Sequence, residues 1–341
     1  MSDVSRLRGA LQGCDAVVHL AGVNRDTDER VDAGNRDLAL TLSRALVGTT
    51  VQRVVHANSI HAGAPTAFGT SKAFAAEELA RGAERVGAGF TDVYLPNIFG
   101  QGARPHYNSV VATFCHDLVA GRDPTVREDK ALPLLHAQDA ADVLHGCLAR
   151  TDSSTVRPGG TPWLVSEVLD ALREISGYAG NGHFPDLSSE MNVALFSTFQ
   201  SYCFPHRFPF AQTVHRDKRG ALYEGVRARH TDSLSFISRT VPGAVRGQHF
   251  HRRKIERFLV LEGDAEIRLR RMVTGEEVVF RVSGRRPEAV DMPPLWAHSL
   301  KNVGSREALT AFWTNELLDP ENSDTHHYPV YDTSVATEAH H

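Results

Sequence analysis

Two kinds of apolar spacing divide this chain. In the first half, short unbroken apolar runs alternate with helix-spaced positions. Ala16–Gly22 (AVVHLAG) lacks polar alternation, as a parallel-sheet strand covered on both faces does. Leu38, Leu42 and Leu46 then line one helix face. Val51 to Ala57 predicts a second strand, Ala73 to Arg85 a helix, and Gly89 to Leu95 a third strand. Ser109 is placed to cap a helix carrying Val110, Val111, Phe114 and Leu118, and Asp139 to cap one carrying Val143, Leu144 and Leu148. Asp152 to Thr161 (DSSTVRPGGT) reads as a loop, and a helix runs through Val165, Leu169 and Leu172. Strand and helix in alternation predict an α/β unit with a parallel sheet.

The period changes after Phe204–Phe210 (FPHRFPF). Leu234 to Arg239, Arg257 to Leu261, Ala265 to Arg271, Glu277 to Val282, Ala289 to Met292 and Leu309 to Thr314 predict short strands, an all-β sandwich or barrel. The fold class is therefore α/β plus all-β, with an α/β unit over 1–205, an all-β unit over 206–332, and a polar, disordered tail over 333–341.

Composition adds exclusions. The 341 residues carry 37 basic and 41 acidic side chains, a net charge of −4, which disfavours nucleic acid or an anionic membrane as the main partner. The four cysteines are widely separated, so they read as buried thiols of a reducing compartment. No apolar run reaches the length of a membrane span and the N-terminus has no signal-peptide pattern, so a cytoplasmic location is expected. The 18 histidines point to metal or proton chemistry.

One cluster of them has ligand spacing. Gly243, His249, His251, Glu256 and Gly263 follow G-x5-H-x-H-x4-E-x6-G, and His298 lies in Pro293–His298 (PPLWAH). Histidines at i and i+2 on a strand share a face, and a carboxylate then completes three ligands. Three histidines and a carboxylate suit zinc, iron, manganese or nickel. The alternative is a surface HxH in the basic run Arg252-Arg253-Lys254. These residues resemble both motifs of the cupin family, whose fold is a jelly roll. Leu295 departs from it, standing where cupins commonly have glycine in the turn.

The first half resembles the extended short-chain dehydrogenases acting on nucleotide sugars, which are Rossmann-like. The resemblance rests on Asn58-Ser59-Ile60-His61, Phe68-Gly69-Thr70-Ser71-Lys72, Leu95–Gly100 (LPNIFG) and His19–Gly22 (HLAG). It implies that Leu20, Ala21, Gly22, Lys72 and Pro96 bind a nicotinamide cofactor, and that Ser59, a tyrosine and Lys72 carry hydride chemistry. The tyrosine position is Phe68, whose ring has no proton to give. His61 is a candidate substitute donor; a plain loop histidine is the alternative. The family's first strand and G-x-x-G-x-x-G turn do not precede Ala16, which leaves that strand at a sheet edge and predicts poor NAD(P)H binding. Either the start is set too late or the domain has decayed. Phe68 lies within the chain and favours decay.

HLAGVNR at His19, ARPHYNSVVATFCH from Ala103, GQHFHRRKIERFLVLEG from Gly247 and FWTNELLDP from Phe312 together resemble the bifunctional capsular-polysaccharide CapF-type enzymes. That resemblance implies zinc in the cupin, a homodimer, and a UDP-sugar substrate. It implies cupin epimerisation at C3 of a UDP-4-keto-6-deoxy-HexNAc, then NADPH reduction of the C4 ketone. Lys254 matches a family lysine and is a candidate base, or a rim residue that binds phosphate. Asp217–Gly220 (DKRG) resembles a D-x-R-G segment of cupin epimerases, which makes Arg219 a candidate phosphate ligand or a plain turn residue. Asn97, Arg104 and Asn108 are candidates for sugar or UDP contacts, or structural loop residues. Three readings remain: an epimerase with a crippled reductase, the complete bifunctional enzyme, and a non-catalytic metal-binding scaffold.

Overall fold

The computed structural model describes residues 3–180, 184–211, 214–217, 220–223, 233–316 and 322–331. Arg219 and the tail from Thr333 lie outside the described residues. Among those described, no helix is long and apolar enough to cross a membrane. The chain forms two compact units. One runs to Thr113 and takes in Val126–Glu167; the other comprises Phe114–Thr125 and the chain from Val168 onward.

The first unit holds a four-stranded parallel sheet in the order Ala16–His19, Arg53–Ser59, Gly89–Leu95, Ser154–Val156. The last strand corrects the loop expected at 152–161. Its three residues are too short for periodicity to register, and Thr91–Val93 supply the pairing. The Ala16–His19 strand stands at the sheet's edge among the described residues and is only half-buried until His19. Helix Asp28–Ala45 starts at Thr27, whose side chain accepts from Arg30 N–H, and buries Ala39 and Leu42. Helix Ala67–Arg85 begins earlier than its apolar spacing predicts, because Thr66 accepts from Gly69 N–H. The two helices approach closely: a Cβ on Gly82 would meet Ser43 Oγ at 2.6 Å. Ser109 accepts from Ala112 N–H as expected for a cap. Asp139 does not cap its helix; Ala137–Gly146 starts at His136 with no side-chain cap, and Asp139 sits in the first turn.

The second unit is built on two five-stranded antiparallel sheets. One orders Leu234–Thr240, Ala308–Thr314, Glu256–Glu262, Glu288–Met292 and Phe210–Ala211. The other orders Glu277–Ser283, Asp264–Arg271, Trp296–Asn302, Val245–Phe250 and His326–His327. Phe258, Val260 and Phe312 of the first sheet meet Ile267, Leu269, Phe280 and Leu300 of the second in one core. The boundary expected at 205/206 falls inside this unit. Phe204 packs on Trp296 with ring centroids 4.5 Å apart, and Gln200, on helix Glu190–Cys203, donates to Asp291. A second buried arrangement lies on the same sheet. Arg257 is 3% exposed, binds Asp291 through both Nε (2.6 Å) and Nη2 (3.0 Å), and lies over the ring of Phe184. Phe184 in turn stacks on Trp313.

Candidate functional site

His249, His251, Glu256 and His298 converge in the second unit. One ligand atom from each lies within 4.8 Å of all the others. Four structural features bring them together. His249 lies on Val245–Phe250, opposite His298 on Trp296–Asn302, and their rings sit 4.7 Å apart. A register shift between Gly247 and His249, with Gln248 at φ 65, re-aims the end of the first of these strands. Glu256 opens Glu256–Glu262, the central strand of the opposite sheet. Leu295, just before the His298 strand, has φ 64, the conformation that favours glycine. Leucine therefore does make this turn, and its N–H donates to the carbonyl of His251 at 2.8 Å.

The imidazoles are oriented for one task. Nδ1 of His251 donates to the Asp324 carbonyl at 2.7 Å, and Nδ1 of His298 to the Trp296 carbonyl at 3.1 Å. Each ring thus turns its Nε2 inward. Those two Nε2 atoms are buried and make no hydrogen bond. They lie 3.3 and 3.0 Å from Glu256 Oε2. Burial and the neighbouring His298 push His249 down to about 4, so it is neutral and can ligate at neutral pH. Burial would raise Glu256, but the two histidines beside it hold its carboxyl far below the usual range. A carboxylate and inward-turned, unpaired imidazole nitrogens with pinned outer nitrogens fit a divalent cation. Lys254, two residues before Glu256, is buried.

The first unit gathers a different set of groups. Ser59 ends the Arg53–Ser59 strand and its Oγ accepts from His61 N–H at 3.2 Å. Phe68 and Lys72 lie on helix Ala67–Arg85. Gly69 is required there, since a Cβ would meet the carbonyls of Ala64 and His61 at 2.4 and 2.7 Å. The His61 turn is thereby seated on the helix start. Lys72, 6% exposed, donates to the Ala57 carbonyl at 2.8 Å and lies 3.4 Å from His56 Nε2. His56 Nδ1 meets His19 Nδ1 at 3.1 Å. Burial lowers all three: Lys72 to about 8, His19 to about 4 and His56 to about 2. Asp92 pulls Lys72 partly back up, is itself raised by burial, and accepts from Asn58 at 3.0 Å.

The other expected residues are dispersed. Leu20 is 66% exposed, Ala21 and Gly22 are exposed, and Pro96 is buried. Asn97 donates to the Pro133 carbonyl at 3.4 Å. Asn108 donates to the Asn24 carbonyl, and Arg25 donates to the carbonyls of His106 and Tyr107. The loop carrying ARPHYNS is therefore fastened to the one carrying HLAGVNR. Arg104 is exposed, its guanidinium 5.4 Å from the Tyr107 ring. Sequence reasoning missed His56 and Asp92 as chemical groups. Strand register was the usable signal: His19 pairs with His56, and His56 with Asp92, along one row of the sheet.

Known proteins resemble both units. Residues 215–326 match the polysaccharide biosynthesis C-terminal domain family. The UDP-2-acetamido-2,6-beta-L-arabino-hexul-4-ose reductase of Pseudomonas aeruginosa is 32% identical over 333 residues, spanning 95% of this chain and 89% of its own length. The chain belongs to this reductase's family. The crystal structure of CapF from Staphylococcus aureus is 28% identical, covers 96% of this chain and 90% of CapF, and superposes with a TM-score of 0.54. A UDP-N-acetylglucosamine 4-epimerase from Methanobrevibacter ruminantium is 15% identical and covers 59% of this chain and 81% of its own, with a TM-score of 0.50; it supports the fold alone. Membership in the reductase's family makes this chain a CapF-like nucleotide-sugar enzyme of polysaccharide biosynthesis.

Proposed function

We propose that this chain is a cupin epimerase, acting at C3 of a UDP-4-keto-6-deoxy-HexNAc, whose linked NADPH reduction of the C4 ketone is impaired or lost. The observation that carries the reading is the inward convergence of the two unpaired Nε2 atoms, His249 and Glu256. His249, His251, Glu256 and His298 would hold zinc or another divalent metal. When bound, such a cation supplies positive charge for the oxyanion that forms when a proton leaves the carbon next to a ketone. Lys254 is the base in this reading. Lys254 Nζ takes the C3 proton, the C–H pair moves into the enolate, and a solvent proton delivered to the opposite face inverts the centre. The UDP-sugar is the substrate, with Arg219, Asn97, Arg104 and Asn108 as candidates for its contacts, and the active form is a homodimer in the cytoplasm.

Loss of the reductase rests on Phe68 and Lys72. Phe68 has no hydroxyl to protonate the C4 oxygen. Lys72 is engaged by the Ala57 carbonyl and His56. The reductase name of the Pseudomonas relative favours a second reading, the complete epimerase and reductase with His61 as donor. Deuterium uptake at C3 of the ketosugar, followed in D2O without nicotinamide, tests the first reading. Wild-type protein should exchange, and His298→Ala should fall by on the order of 10²–10³-fold, the scale of losing a principal oxyanion stabiliser. Equal exchange in the two proteins contradicts the assignment. NADPH oxidation abolished by Ser59→Ala or His61→Ala would favour the second reading. Phe68→Tyr should raise NADPH oxidation only if the rest of that site persists.

A further inference from the structure

The residues between His251 and Glu256 turn from one sheet to the other, so the backbone N–H groups of Arg252, Arg253 and Lys254 are outside any strand ladder. A single buried oxygen gathers them. Asp324, 2% exposed and some seventy residues later in the chain, accepts through Oδ2 from Arg252 N–H at 3.1 Å, Arg253 N–H at 2.8 Å and Lys254 N–H at 2.9 Å. Its Oδ1 accepts from Arg252 N–H at 3.0 Å and lies 3.3 Å from His326 Nε2. Its main-chain carbonyl takes the Nδ1 proton of His251. One residue therefore clamps the turn between two ligands and fixes the tautomer of one of them.

The segment bearing Asp324 is tied down independently. His326 and His327 pair with Phe250 and His249 as an added strand. Gln248 Oε1 accepts from Val330 and Tyr331 N–H at 2.8 and 3.1 Å, and Tyr331 donates to Glu266 at 2.5 Å. Gln248 is the residue with left-handed φ beside His249, so the same strap also braces the bulge that aims that ligand.

We infer that Asp324 is a positioning residue for the metal centre, setting the spacing of His251, Lys254 and Glu256 through the backbone without touching metal or substrate. The inference rests on the cupin reading of the proposed function. Partners that orient ligands in this way change metal affinity by about 10–100-fold when removed.

The geometry separates clamping from charge. An asparagine carboxamide can place its oxygen where Oδ2 lies and keep the three Oδ2 contacts to the turn, losing only the second bond from Arg252 N–H, with its NH2 toward His326. Glutamate keeps the charge but carries its oxygens one methylene too far. Zinc affinity of the full chain, measured by competition with a chromophoric chelator, should fall about 10–100-fold in Asp324→Ala and Asp324→Glu and stay near wild type in Asp324→Asn. The visible spectrum of the cobalt-loaded proteins should change in the same order, which a general loss of stability would not reproduce. If Asp324→Ala does not fold, the Glu and Asn pair decides alone. Wild-type affinity in Asp324→Glu, or loss in Asp324→Asn, overturns the inference. If wild-type protein binds no zinc or cobalt, the metal reading itself fails, and that result is distinct from equal binding in all variants.

Discussion

Arg257 and Lys72 are both buried cations, and they are buried in opposite ways. Arg257 has a two-point carboxylate partner in Asp291 and a ring face in Phe184. Lys72 is held by a carbonyl and a neutral histidine, and burial lowers it to about 8. The same contrast separates the two candidate sites. In the β unit, outer imidazole nitrogens are tied to carbonyls and inner ones face a common point. In the α/β unit, Lys72, His56 and His19 are tied to one another. The inner nitrogens of His251 and His298 have only Glu256 beside them, an arrangement that a bound cation would complete.

The largest test of the contrast removes the matched partner. Asp291→Ala should cost about 3–5 kcal/mol, because Arg257 would stay buried without its two-point carboxylate partner. A urea midpoint close to wild type would show that water reaches Arg257. Next comes Lys72. The folded chain releases this proton near pH 8, whereas the unfolded chain keeps it to the ordinary value of 10.5. Between those values the unfolded state binds more protons, so stability rises with pH, by up to about 3 kcal/mol. That contribution is absent at neutral pH and below. Lys72→Met should therefore be more stable than wild type near pH 7 and lose that advantage above pH 10.5. A stability difference that does not change with pH would mean that Lys72 keeps its proton when folded. The smallest effect is at Leu295, where glycine would relieve a left-handed backbone worth about 1–2 kcal/mol, offset in part by lost packing of a half-buried side chain. Leu295→Gly should melt slightly higher and bind metal unchanged. Weakened binding would show that the leucine itself supports the turn.

The sequence made the candidate ligand set legible but not the strands that carry two of its members. Val245–Phe250 and Trp296–Asn302 put histidine, serine, glutamine and asparagine at positions where periodicity looks for apolar residues. Their polarity has local causes: His249 and His298 face the cluster, and Asn302 donates to the Thr240 and Arg306 carbonyls. Apolar alternation located strands such as Glu277–Ser283 and Ala308–Thr314 well because they contribute no residue to the cluster. The set Ser59, Phe68 and Lys72 was legible as a motif, with Phe68 at the tyrosine position, yet the buried row of His19, His56 and Asp92 required register between strands. Asp324 was invisible for another reason: its partners are backbone N–H groups, which leave no mark on side-chain pattern.

On the proposed reading, chemistry resides in the β unit and the hydride site is spent. One preparation in D2O, given the 4-ketosugar and NADPH together, tests it by following C3 deuteration and NADPH absorbance at once. The account predicts deuteration with no NADPH consumed. NADPH oxidation keeping pace with deuteration, or no deuteration at all, would contradict it.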